Sequence, residues 1–115
     1  MVETSSRDIG ALLPLTPALF HVLLSLADGS KHGYAILKEI ESRTNGDVVL
    51  STGTLYGFIK RLLADGLIRQ SASQSDERRT AYRLTGLGRK VALAEADRLR
   101  TLVVSAERLL GEPAV

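Results

Sequence analysis

The carboxyl-terminal part of the chain carries a helical hydrophobic pattern that is too long for a domain of this size to cover. The chain has 115 residues, and the pattern runs over about residues 86–110. About 24 helical residues span about 36 Å, whereas a compact domain of this length has a radius of gyration of about 13 Å. We therefore expect this helix to project beyond the core of the domain.

The downstream half of this helix has the residue spacing of a two-helix seam. Apolar residues recur there at intervals of three and four residues, and Glu95 interrupts the same pattern upstream. A projecting apolar stripe requires a partner, and a second copy of the chain is the simplest one. The residues predicted to form this homodimer seam are Leu99, Leu102, Val103, Ala106 and Leu109.

Upstream of the long helix, the sequence predicts three shorter helices. They span about residues 17–27, 33–44 and 52–65, and their apolar residues recur at the spacing of one buried helical face. A weaker helical segment over residues 6–13 ends at Pro14. Thr and Ser are good N-cap residues, and the predicted N-caps are Thr16, Ser51 and Thr85.

Two strand-like runs follow the third helix. Residues 67–73 and 80–85 flank a polar stretch, as the two strands of a hairpin do. Residues 48–50 also have a strand-like composition and are expected to pair briefly.

Three helices followed by a two-stranded hairpin form the winged-helix arrangement, which is a helix-turn-helix with an added β-ribbon. We therefore predict a mainly α fold with a small β-hairpin. Residues 1–85 would form the N-terminal segment and the winged helix-turn-helix, and residues 86–115 the dimerisation helix of the same structural unit. In this arrangement the third helix is placed to enter a DNA major groove.

Composition excludes several classes of function. The chain has no Cys, which excludes disulfides, Cys-bound zinc, iron–sulfur clusters and thiol nucleophiles. The two histidines, His21 and His32, have no partner at metal-ligand spacing, and no nucleophile–base set or carboxylate pair stands out. We therefore expect no enzyme activity, no cofactor and no metal.

Hydropathy predicts a cytoplasmic protein. No apolar run approaches the ~20 residues that cross a bilayer, and the first residues do not resemble a signal peptide. We therefore expect no membrane association.

Basic residues concentrate in the middle of the chain. Residues 1–50 hold four basic and six acidic side chains, residues 51–90 hold eight and three, and residues 91–115 hold three and four. This distribution indicates an anionic partner that meets one face of the protein. The alternative is a solvated surface with chance asymmetry.

The face of the third helix opposite its apolar stripe is small and basic. It carries two cations, no acid and two glycines that each cost a helix roughly 1 kcal/mol relative to Ala. Such a face suits close approach to DNA, and the alternative explanation is chance or helix fraying. Its residues are Gly53, Thr54, Gly57, Lys60, Arg61 and Ala64.

Further candidates lie around this face. Ser51, Thr52 and Thr54 place hydroxyl groups at the N-terminal end of the third helix, where backbone N–H groups are also available to phosphates or base edges. Tyr56 lies on the flank, where its hydroxyl could reach a phosphate, or where it is simply a tyrosine at the edge of the core.

The hairpin contributes a second set of basic candidates. Arg78 and Arg79 lie at its tip, and Arg83 points outward from its second strand. A wing tip beside a groove-reading helix contacts the DNA backbone or the minor groove. The alternative is that Asp76 and Glu77 pair with these arginines.

An ordered set of short motifs resembles the PadR family of bacterial transcriptional regulators, in its smaller subgroup with a single C-terminal helix. The match extends over about residues 16–110, although Gly57 stands where the family often has Pro and the chain has no Trp. The motifs are His32-Gly33-Tyr34-Ala35-Ile36, Ser51-Thr52-Gly53-Thr54-Leu55-Tyr56, Lys60-Arg61-Leu62, Asp65-Gly66-Leu67-Ile68 and Tyr82-Arg83-Leu84-Thr85 with Gly88.

The resemblance implies a homodimeric winged-helix repressor of double-stranded DNA. It also implies release from DNA by a small aromatic or drug-like effector. By this resemblance, the residues at positions where the family approaches DNA are Tyr34, Ser51, Thr54, Tyr56 and Lys60, and Arg78 and Arg79 match the basic wing.

Two functions remain open from the sequence. The first is a DNA-binding regulator, probed by charge reversal at Lys60 and Arg61. The second is a winged helix that serves as a protein-interaction module without DNA binding.

Overall fold

Five helices and a three-stranded sheet make up the part of the chain that the computed structural model describes, which is residues 6–71 and 80–111. In chain order the elements are α1 (Ser6–Ala11), α2 (Pro17–Ser25), β1 (Lys31–His32), α3 (Gly33–Arg43), α4 (Thr52–Ala64), β2 (Ile68–Gln70), β3 (Ala81–Leu84) and α5 (Gly86–Leu110). The predicted mainly α winged-helix fold is confirmed.

Local side-chain chemistry begins and ends these helices as expected. The Thr16 hydroxyl accepts a hydrogen bond from the Leu19 N–H at 3.2 Å, and Thr85 accepts one from the Gly88 N–H at 2.9 Å. Each bond satisfies one N–H group that the first turn of a helix leaves without a backbone partner. Gly66, which follows α4, has a φ of 76°, a conformation that glycine adopts without steric cost.

The sheet differs from the predicted hairpin because it has a third strand. The strand order is β1-β3-β2, and both pairings are antiparallel. β1 has only two residues, and Lys31 pairs with Tyr82 and His32 with Ala81. A two-residue strand carries no alternation pattern, so its existence depends on β3, which lies about fifty residues further along the chain.

The predicted strand at residues 48–50 is wrong. This segment is irregular and connects α3 to α4. The Val48 N–H donates to the Thr44 hydroxyl at 3.0 Å, and the Asp47 N–H donates to the Thr44 carbonyl at 3.0 Å. Local turns after α3 therefore bond the backbone that leads into this segment.

The core lies between α2, α3, α4 and the first half of α5. Its fully buried residues include Val22, Leu23, Ile36, Leu55 and Val91. These side chains occupy the stripes predicted for their helices. The core therefore holds α4 by one face and leaves the opposite face of that helix in solvent.

The start of α5 is held closely against the corner between α4 and β2. A Cβ atom placed at Gly88 would lie 2.8 Å from Leu84 Cδ1 and 3.0 Å from the Leu67 carbonyl carbon. The Thr85 hydroxyl donates to the Gly66 carbonyl at 2.7 Å. The long helix is therefore joined directly to the end of α4.

The apolar stripe of α5 is covered by the chain itself upstream and is uncovered downstream. Val91 and Glu95 are buried, and they lie on the same helical face as Leu99 and Leu102 because these residues follow at intervals of four, four and three. Leu99 is 37% exposed and Leu102 is 54% exposed. The helix thus extends beyond the domain, as its length predicts.

Glu95, the residue that interrupts the apolar pattern, binds the N-terminal part of the chain. Its carboxylate accepts a hydrogen bond from the Leu15 N–H at 3.3 Å. It also accepts two hydrogen bonds from the Arg98 guanidinium, at 3.0 and 2.7 Å. This buried charge is therefore paired within the protomer.

Candidate nucleic-acid interface

One side of α4 faces the core and the other faces solvent. Leu55, Ile59 and Leu62 are buried. The outer face predicted from the helical wheel is exposed along its whole length, and it consists of Gly53, Thr54, Gly57, Lys60, Arg61 and Ala64. A Cβ atom built at Gly53 or at Gly57 would meet no atom within 4 Å. The two glycines therefore leave the helix backbone itself accessible.

Hydroxyl groups cluster at the N-terminal end of α4. The Ser51 hydroxyl accepts from the Thr54 N–H at 3.1 Å and donates to the Thr54 hydroxyl oxygen at 2.9 Å. Ser51 is therefore the predicted N-cap, and its proton is already used within the cap. The hydroxyl groups of Thr52 and Thr54 donate no hydrogen bond to a described residue, and both side chains are exposed. These two threonines are the free hydroxyl donors of this end.

The two cations of the outer face keep most of their charge available. Lys60 makes no ion pair in the described part of the chain, and the Arg61 Nε lies 3.9 Å from Asp65 Oδ2. An exposed pair at that separation contributes little to stability. Both side chains can therefore turn towards an anionic partner.

Tyr56 packs at the edge of the core and also keeps part of its side chain accessible to a phosphate, which are the two roles predicted from the sequence. Its ring packs over the first residue of α3, where a Cβ atom at Gly33 would lie 2.8 Å from Tyr56 Cζ. Its side chain is nevertheless 44% exposed. Tyr34, one residue after Gly33, is 69% exposed, and Lys38 Nζ lies 5.8 Å from the centre of its ring. Tyr56 of α4 and Tyr34 of α3 therefore both lie near the place where α4 meets the N-terminus of α3.

The sheet places Arg83 outward, as expected, and brings a second arginine opposite it. Arg83 and Arg69 are directly paired across β3 and β2, and both are exposed. Arg69 was not a predicted site residue because its position opposite Arg83 depends on the sheet register. Arg78 and Arg79 lie outside the described residues.

His21 of α2 and two charged side chains of α3 form a structural network. Arg43 donates to Glu39 at 2.9 Å and to the carbonyl of His21 at 3.1 Å, and it lies 3.2 Å from His21 Nδ1. Burial, and then the positive charge of Arg43, lower the pKa of His21. A neutral His21 fits this network. Within residues 6–71 and 80–111, no group of three or more metal-ligating side chains is found.

The predicted seam residues of α5 are all accessible in the single chain. Leu102 and Val103 are more than half exposed, and Leu109 is 80% exposed. Ala106 is also exposed.

No helix in the described segments is long and apolar enough to span a bilayer.

The chain is similar to known regulators in sequence and in structure. A transcriptional regulator from Clostridium thermocellum superposes with a TM-score of 0.70 at 26% identity, over 92% of this chain and 97% of that one. A PadR family transcription regulator from hypervirulent Clostridium difficile superposes with a TM-score of 0.67 at 26% identity, over 84% of this chain and all of that one. These structures are of transcription regulators and not of enzymes.

Sequence comparison gives a curated relative and a family. An uncharacterized 37.1 kDa protein in transposon TN4556 of Streptomyces fradiae is 38% identical over 81 residues, which are 70% of this chain and only 22% of that protein. The sequence profile of the "Transcriptional regulator PadR-like family" matches residues 22–94. Because that match covers more than half of the chain, the protein belongs to the PadR-like family of transcriptional regulators.

Proposed function

We propose that the protein is a homodimeric repressor that binds a near-palindromic operator in double-stranded DNA and is released by a small-molecule effector. The outer face of α4 is the observation that carries this proposal. It is exposed, basic and without acid, and its two glycines bring the helix backbone close to whatever the helix meets. A helix with these properties fits the major groove, which admits one α-helix.

The residues around α4 form two groups, one suited to base edges or phosphates at the start of the helix and one suited to the phosphate backbone further along it. Thr52 and Thr54 carry free hydroxyl protons at the end of the helix that enters the groove, so they suit base edges or phosphates. Ser51 holds that end in place as its N-cap. Lys60 and Arg61 lie further along the helix and suit the phosphate backbone, where they provide salt-dependent affinity.

The flanks of α4 extend the same surface. Tyr34 and Tyr56 place phenol groups beside the helix, and a phenolic hydroxyl is a donor to phosphate oxygen. Arg83 adds a cation at the sheet. Arg78 and Arg79 would add the tip of the wing.

The second copy of the chain supplies the two-fold symmetry that a near-palindromic site requires. The uncovered part of the α5 stripe supports pairing at Leu99, Leu102, Val103, Ala106 and Leu109. In such a dimer the two α4 helices read successive major grooves about 34 Å apart. Residues 1–85 would then bind DNA, and residues 86–115 would join the protomers.

Release by an effector is supported by a small cavity between α2 and α5. The cavity has a volume of about 130 Å³, and its lining is mostly apolar and includes Phe20, Leu24, Leu84 and Leu93. A cavity of this size suits a small aromatic ring, which would lie between the winged helix and the dimerisation helix. A change of angle between these two parts would move the α4 helices away from the groove spacing of the operator.

Charge reversal on α4 tests the DNA-binding part of this proposal. We expect Lys60→Glu with Arg61→Glu to abolish binding to the gene's own upstream DNA in a fluorescence-anisotropy titration at low salt. The matched control is Arg100→Glu with Arg108→Glu, two exposed cations of α5, which should retain binding. Sedimentation of both variants shows whether the dimer persists.

The titration also separates the competing function. If the Lys60 and Arg61 variant binds as well as the control, the assignment of α4 to the groove is wrong. If the unmodified protein binds neither the upstream DNA nor a scrambled duplex at low salt, the protein-interaction module is the better account.

A further inference from the structure

Two like charges face each other across the sheet. Arg69 of β2 and Arg83 of β3 are directly opposite partners, so their Cβ atoms are about 5 Å apart and their side chains leave the same face of the sheet. Like charges in this position destabilise a strand pair. The sequence therefore maintains an unfavourable contact that the fold itself does not need.

Nothing in the described residues compensates for these two charges. Neither Arg69 nor Arg83 takes part in an ion pair there, although other exposed arginines of the chain do, such as Arg43 with Glu39 and Arg100 with Asp97. Both arginines are exposed. Among residues 6–71 and 80–111, the pair therefore presents two guanidinium groups without a neutralising carboxylate.

The same face continues towards the surface proposed to bind DNA. The β1 residue His32 pairs with Ala81, which is two residues before Arg83 on β3 and so shares its face. His32 is exposed and is followed directly by Gly33, over which Tyr56 of α4 packs. Through Gly33, the β1 end of this face of the sheet therefore adjoins the flank of α4.

We propose that Arg69 and Arg83 together bind one phosphate group of the DNA backbone beside the groove that α4 enters. This inference rests on the proposed DNA-binding function and adds Arg69 to its site. A phosphate between the two guanidinium groups accepts hydrogen bonds from both and removes their repulsion, and guanidinium suits phosphate geometry well. The contact fixes the orientation of the protein on the duplex and carries no sequence information.

Salt dependence tests this contact directly. The probe is a duplex of about three helical turns, ~30 base pairs, prepared once with the gene's own upstream sequence and once scrambled. In anisotropy titrations over a series of salt concentrations, Arg69→Gln should lower the slope of log K against log salt by about one per protomer. The affinity ratio between the two duplexes should not change, because a phosphate contact does not read bases.

A second substitution separates this role from a structural one. Arg69→Glu places an opposite charge across from Arg83. We therefore expect the melting temperature of this variant to rise and its affinity for both duplexes to fall. A merely structural arginine would lose stability and binding together. Arg108→Gln, which removes one exposed charge on the side of α5 away from the seam, is the matched control and should leave the salt slope unchanged.

The results distinguish this inference from the function on which it rests. In one outcome, Arg69→Gln has the same salt slope as the Arg108→Gln control, whereas the variant with Lys60→Glu and Arg61→Glu loses binding. The sheet face then makes no phosphate contact, and the assignment of α4 to the groove stands. If the unmodified protein binds neither duplex, both proposals are overturned. A melting temperature that falls in Arg69→Glu would contradict the repulsion on which the inference is based.

Discussion

A buried carboxylate joins the segment before α2 to the long helix α5. Glu95 on α5 accepts hydrogen bonds from the Leu15 N–H and from Arg98. The hydrogen bond from Arg98 lowers the pKa of Glu95, burial opposes this effect, and the bond from the Leu15 backbone adds to it, so the pKa in the folded protein is below its usual value. The charged form therefore stabilises the fold.

This pKa shift predicts how stability depends on pH. The contribution of Glu95 is fully present above the unfolded pKa of about 4.3, and it is lost as the pH falls through the lower pKa of the folded state. We expect Glu95→Gln to lower the free energy of unfolding at pH 7 by about 1–3 kcal/mol, and this difference should shrink towards acid pH. Urea unfolding of both proteins across that range measures it.

The exposed Glu107 provides the control for this prediction. Glu107→Gln removes the same charge from α5 without disturbing a buried contact, so its unfolding free energy should follow that of the unmodified protein. A difference between Glu95→Gln and the unmodified protein that stays constant with pH would show that the carboxylate charge is not what stabilises this contact.

Residues that act on their own neighbours could be predicted from the sequence, and residues with distant partners could not. The caps Thr16, Ser51 and Thr85 bond to N–H groups three residues away. The partner of Glu95 is Leu15, eighty residues earlier. The position of Arg69 opposite Arg83 likewise requires the register of two strands, which local sequence does not specify.

At the scale of the helix, we expect the glycines of α4 to lower the stability of the protein and to strengthen its binding to DNA. Gly53 and Gly57 are exposed, and a methyl group at either meets no atom within 4 Å. Replacing both by Ala should raise the unfolding free energy by about 1 kcal/mol, since an interior helix glycine such as Gly57 costs about that much and Gly53 lies in the first turn, where the cost is smaller. The same methyl groups should weaken operator binding because they stand between the helix backbone and the groove. Denaturant unfolding and anisotropy measure the two effects.

A glycine elsewhere in the fold is the control for this pair. Gly86 at the start of α5 is also exposed with open space around it, so Gly86→Ala should not weaken DNA binding. If the α4 variant gains stability and binds the operator as before, close approach of the helix backbone is not the reason for these glycines.

The elements that local patterns describe were predicted well, and those formed by distant pairing were not. The bounds of α3, α4 and α5 agree with their apolar periodicity and caps to within a residue or two. β1 exists only because Lys31 and His32 reach β3. Residues 48–50 have a strand composition but no strand to pair with, and turns at Thr44 bond the backbone before them.

For the whole molecule, the register of the α5 seam decides which substitutions separate the protomers. Leu102 and Val104 are 54% and 50% exposed, but only Leu102 lies on the predicted seam. We expect Leu102→Asp to yield monomers in sedimentation, because a charge would be buried against the second helix. Val104→Asp should remain a dimer. Dissociation of both variants, or of neither, would exclude this register.

The unbroken length of α5 makes it a lever. Its 25 residues extend about 37 Å, and no glycine or proline interrupts it from residue 89 to residue 110. The hydrogen bond from Thr85 to the Gly66 carbonyl holds its first end against the end of α4. In the proposed dimer, that first end lies about 27 Å from the middle of the seam. A rotation of about 10° at the seam would therefore sweep it through about 5 Å, more than one base-pair step of 3.4 Å. A stiff arm of this kind turns a small adjustment between protomers into a mismatch with the pitch of the duplex, so the spacing between operator half-sites would be read as strictly as their bases.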